Sequence, residues 1–146
     1  MKENYGNIRR VFMTEQPAVY DRKTRMAYMD FQPATQVQTT TSEDTSTTKA
    51  KDASKEKTID GFSGFAIQTD GIIDYAHLKS QLVEAAYPQK EEHALAFNTI
   101  DALLKKVNGE ELTEDEKKDI ETYKDFSEYR QLCANCAKSI IDTLFN

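Results

Sequence analysis

Gln36-Val37-Gln38-Thr39-Thr40-Thr41-Ser42-Glu43-Asp44-Thr45-Ser46-Thr47-Thr48-Lys49-Ala50-Lys51-Asp52-Ala53-Ser54-Lys55-Glu56-Lys57 decides how the rest of the chain is read. Val37 is its only core-forming side chain. A segment of threonine, serine, lysine, acids and small alanines cannot bury enough apolar surface to offset the entropy of ordering it. The 7 Tyr and 7 Phe all lie outside it. The expected organisation is therefore a β-rich N-terminal arm at 1–35, a polar linker at 36–58 and a mainly helical C-terminal domain at 59–146. A flexible tether of that length would reach roughly 25 Å.

The 146 residues carry a formal charge of -6, with an isoelectric point near 5.0. Binding nucleic acid by neutralising phosphates needs a basic surface, so the balance of charge points away from it. The one basic cluster, Asp21-Arg22-Lys23-Thr24-Arg25, reads as a charged turn. The first sixteen residues, MKENYGNIRRVFMTEQ, lack the apolar stretch of a secretory signal. No apolar run approaches the length of a membrane span. Two cysteines provide no disulfide framework. A soluble chain assembled in a cytoplasm is expected, with neither nucleic acid nor membrane as partner.

Outward from the tract, two β-prone runs, Ala18–Tyr20 and Met26–Phe31, flank the polar turn and predict a hairpin. Regular alternation would place Met26, Tyr28 and Asp30 on one face and Ala27, Met29 and Phe31 on the other. Both faces are then partly apolar, and an isolated hairpin is marginal in water. It must dock on the C-terminal part or on another chain. Val19, Tyr20, Tyr28 and Phe31 are the side chains expected to contact a partner.

Beyond the tract, Ile59–Thr69 is strand-like and Asp70-Gly71 marks a turn. Asp74 is an N-cap for a helix over 75–87, which Pro88 ends. A second helix, 90–107, is expected to pack through Phe97, Ile100, Leu103, Leu104 and Val107. Thr113-Glu114-Asp115-Glu116 is a capping box that opens a third helix. Its apolar positions Ile120, Tyr123, Phe126 and Tyr129 step by threes and drift around the helix. Either it breaks near residues 125–127 or it is contacted on two sides. The fold class is α+β: a short N-terminal hairpin arm, then a short β segment and about three helices.

No catalytic constellation is legible. Cys133-Ala134-Asn135-Cys136 falls within a helix on an apolar stripe, whereas redox C-x-x-C motifs open a helix after a strand. A structural zinc site needs four ligands, and His77 and His93 lack the spacing to complete one. No phosphate-binding glycine motif is present. The expectation is a non-enzymatic protein without cofactor or metal.

Asp74-Tyr75, His77-Leu78-Lys79, Leu82 to Tyr87, Glu91-Glu92, Ala94-Leu95, Tyr123-Lys124, Phe126, Tyr129-Arg130 and Cys133 together resemble small structural-type proteins of tailed phages and prophages of Bacteroides-like bacteria. The likeness covers residues 74–138, less than half the chain, and rests on helical packing positions. It implies a virion component that meets neighbouring subunits, with copies of itself among the candidates, and is assembled in the host cytoplasm. A cytoplasmic adaptor or assembly chaperone absent from the finished particle is the alternative.

Overall fold

The structure, a computed structural model, describes residues 1–41 and 54–145. Element order is β1 (Asn4–Tyr5), β2 (Ile8–Arg9), β3 (Val11–Met13), β4 (Tyr20–Asp21), β5 (Met26–Thr41), β6 (Ser54–Gln68), α1 (Tyr75–Ala86), α2 (Gln89–Val107) and α3 (Glu114–Phe145). The fold is α+β, with N-terminal strands and a hairpin, a curled sheet, and three helices on the C-terminal side. β1 and β2 form a small hairpin, and the main sheet runs β3-β6-β5-β4, antiparallel throughout.

The polar turn forms where the sequence places it. Asp21 accepts from the Lys23 N–H through its carboxylate at 2.9 Å and from the Arg25 N–H through its carbonyl at 2.7 Å. β3, β4 and β5 share one sheet with Ile59–Gln68, because β6 pairs with β3 on one side and β5 on the other. The hairpin thus docks on its own chain. Tyr5, Ala27 and Met29 from the N-terminal part are buried in the same core as Phe65, Ile67, Leu78, Leu82, Tyr129 and Ile140. The division expected at 36–58 does not separate two cores.

The ends of the threonine-rich tract differ from the expected tether. Gln36 to Thr41 pair residue by residue with Ile59 to Ser54 in the β5–β6 ladder. Residues 42–53 lie outside the described residues. The physical reason is local. Threonine is β-branched and favours the extended backbone, and a ladder satisfies backbone groups without any apolar burial.

The helices follow their sequence signals. Asp74 caps α1, accepting from the His77 N–H at 3.0 Å. Thr113 and Glu116 exchange their capping-box bonds at 3.2 Å each. α3 is one helix without a break, so the drifting apolar positions report contact on two sides. Its first part meets α2 at Glu116 and Asp119, its middle meets α1 at Tyr129, and its later part meets the sheet at Cys136. Tyr87 packs against Phe126, ring centroids 5.0 Å apart. Tyr129 lies 5.3 Å from Tyr5 and donates its hydroxyl to the Leu82 carbonyl.

α2 departs from its expected seam. Its buried residues are Thr99 and Ala102, while Phe97, Ile100, Leu103, Leu104 and Val107 are exposed. Small side chains permit close approach to α3, and the Thr99 hydroxyl donates to the Asp119 carbonyl at 3.3 Å. The larger apolar stripe is turned outward.

Candidate interaction surfaces

β5 and β6 outrun the rest of the sheet. β4 pairs only with Met26 and Ala27, and β3 only with Phe62, Ser63 and Gly64. From Ala34–Gly61 to Thr41–Ser54 the two strands pair only with each other. At ~3.3 Å per residue this is a ribbon about 25 Å long. Among the described residues no further strand pairs with either of its edges, and an unpaired edge offers backbone donors and acceptors to another chain. Val37 is 59% exposed on it.

The base of the ribbon is built with care. The β5–β6 register shifts between Met29 and Gln32, and Asp30 takes a left-handed φ of 51°. This bulge re-aims Phe31. Its ring lies over Gly64, where a Cβ would come within 2.4 Å of it. Phe12 covers Gly61 in the same manner, 2.5 Å from a Cβ placed there. Behind the bulge, Arg10 separates β2 from β3 and turns its guanidinium inward. It donates at 2.9 Å to the carbonyls of Asp30 and Ser63 and pairs with the Asp30 carboxylate. It also reaches the Lys2 carbonyl and stacks 4.7 Å from the Phe65 ring centroid.

The four residues expected to contact a partner divide into two pairs. Val19 and Tyr20 pack partly buried against the chain's own core. The Val19 carbonyl accepts from the Tyr28 N–H at 2.9 Å, and the Tyr20 hydroxyl lies 3.3 Å from Thr69 Oγ1. Tyr28 and Phe31, half-buried, pair edge to face. They stand on the face opposite the buried Ala27 and Met29. Sequence reasoning missed the ribbon edges and the outward orientation of the α2 stripe. The ribbon was legible only as threonine-rich β propensity, and α2 had the right apolar residues assigned to the wrong side.

The cysteines that suggested chemistry lie in the core. Cys133 and Cys136 are free and buried. Burial pushes both thiols up to about 12, so they are protonated at neutral pH. His77 Nε2 lies 2.6 Å from the Asp70 carboxylate near the start of α1. The Ile72 N–H, and then His77, hold the Asp70 carboxyl below its ordinary value. Among the described residues no three His, Cys, Asp or Glu side chains are grouped to hold a metal ion, and no helix is long and apolar enough to cross a membrane. A groove of about 400 Å³ between Tyr75, Lys79, Val83, Tyr87, Glu92 and Arg130 has no histidine in its lining.

Among the described residues two surfaces stand out: the β-ribbon and the outward apolar stripe of α2. No protein-family model matches the chain, and neither a curated protein nor a solved structure is detectably similar to it.

Proposed function

We propose that this chain is a non-enzymatic structural or assembly protein that works by contact with other protein subunits, as a component of a bacteriophage virion. The observation that carries the subunit-contact part is the ribbon of Ala34–Thr41 and Ser54–Gly61, projecting with both edges unpaired among the described residues. A neighbouring strand added to such an edge gains main-chain hydrogen bonds, and side chains on alternate faces set its specificity. The ribbon replaces the flexible tether in this reading: the contact is delivered by a paired arm fixed to the sheet. Tyr28 and Phe31 lie toward its base, while Val19 and Tyr20 hold the arm to its own body. The virion assignment rests on the sequence resemblance over residues 74–138.

Mass spectrometry of purified particles, from a host that carries the gene, tests the assignment. A virion component is present at constant stoichiometry to the major particle proteins. Abundance in the producing cells with absence from particles would replace it with an adaptor or assembly chaperone.

A further inference from the structure

The exposed face of α2 is apolar over three turns. Phe97 is 68% exposed, Ile100 52%, Leu103 43%, Leu104 57% and Val107 82%. Phe97, Ile100, Leu104 and Val107 step by three, four and three, the spacing of a helix-pairing seam. Together the five side chains present on the order of 500 Å² of apolar surface, at the upper end of what a monomer leaves in one patch. A standard interface takes about 800 Å² from each partner, a little over half of it apolar. The patch therefore has the size of one side of such an interface.

Its arrangement selects the occupant. The four seam positions are symmetric about Ala102, two and five residues to either side. A two-fold axis passing Ala102 would set Phe97 against Val107 of the second copy and Ile100 against its Leu104. Each layer then combines a larger with a smaller side chain, or two of equal size. Parallel pairing would stack Phe97 on Phe97 and leave a void at Val107. Antiparallel alignment also opposes the two helix macrodipoles. Lys105, the charge next to Leu104, bonds to Glu116 on α3 at 3.2 Å, away from the seam. We infer that this face is a homodimer interface in which α2 of one copy lies antiparallel on α2 of a second. The inference does not depend on the virion assignment or on the ribbon.

Sedimentation equilibrium of the full chain is expected to show a concentration-dependent dimer. Leu104→Glu, and separately Phe97→Glu, should weaken self-association by about two orders of magnitude, because each places two charges in the apolar seam. Both should leave the circular dichroism unchanged, and the melting temperature unchanged at concentrations where the wild-type chain is monomeric, since the stripe is outside the core. Oxidative cross-linking fixes the direction. Phe97→Cys mixed with Val107→Cys should link as a mixed pair, and Phe97→Cys alone should not, its two copies lying about 15 Å apart along the axis. A wild-type monomer at high micromolar concentration, a dimer that survives both charge variants, or efficient self-linking of Phe97→Cys would each overturn the proposal.

Discussion

Phe31 shares a sheet face with Tyr28, their ring centroids 5.8 Å apart and their planes at 70°, although a regular pleat sends residues three apart to opposite faces. The bulge at Asp30 supplies the missing half-period. Phe31 is then free to lie over Gly64, which has no Cβ to displace it. Gly64→Ala would bring a methyl within 2.4 Å of the Phe31 ring and 2.7 Å of the Met29 carbonyl. Denaturant unfolding should show a loss of about 2 kcal/mol. Adding Phe31→Ala should return part of that loss, giving a coupling term in a double-mutant cycle. Strict additivity would place Phe31 elsewhere.

Arg10 ties three segments together, and its side chain is 3% exposed. Removing it takes the guanidinium from the carbonyls of Lys2, Asp30 and Ser63 and leaves the Asp30 carboxylate with only the Gln32 amide as donor. Arg10→Ala should lower stability by about 3 kcal/mol. Arg10→Lys should recover little, because an ammonium cannot reproduce the fork of donors or the stack on Phe65. A change below about 0.5 kcal/mol on Arg10→Ala, the level of an ordinary surface site, would show that the N-terminal strands are held by other means.

High pH should unfold the protein. Burial raises Tyr5 and Tyr87 from 10.0 to about 12, and Cys133 and Cys136 from 9.0 to about 12. Tyr129 is raised further by the same cause. These groups are neutral in the fold and ionise more readily when unfolded. Their contribution is complete below pH 9 and is lost as pH rises from there through about 12. Tyrosinate absorbance and far-ultraviolet circular dichroism should therefore change together in that window. Ordinary titration of Tyr5, Tyr87 and Tyr129 near pH 10 with the fold intact would contradict the buried aromatic cluster.

The helical half was legible because its signals are local. Asp74, Pro88 and the Thr113–Glu116 box each act within one turn, and all three mark real boundaries. The sheet was only partly legible. A period-two reading put Phe31 with Met29, since nothing in Met26–Phe31 announces the bulge that turns Phe31 over Gly64, more than thirty positions away. Gln36–Thr41 and Ser54–Thr58 read as linker because burial was weighed above backbone propensity. In a two-stranded ribbon the hydrogen bonds and β-branched side chains decide, and burial contributes little. α2 showed its apolar stripe clearly. Which side meets α3 depended on Thr99 and Ala102, small residues that carry weak hydrophobic signal but allow close packing. The candidate surfaces follow the same division: the apolar residues were visible, and the side each one faces was not.

Shortening the ribbon tests the central claim, that this chain assembles through it. Gln36 and Ile59 face each other in the ladder, so joining them through Asn-Gly closes a short hairpin and removes the projecting segment. The shortened protein should keep its circular dichroism, because the core residues lie in the body. Supplied in place of the full chain to a host producing particles, it should be made at normal levels and be missing from purified particles. Incorporation equal to that of the full-length chain would contradict the account.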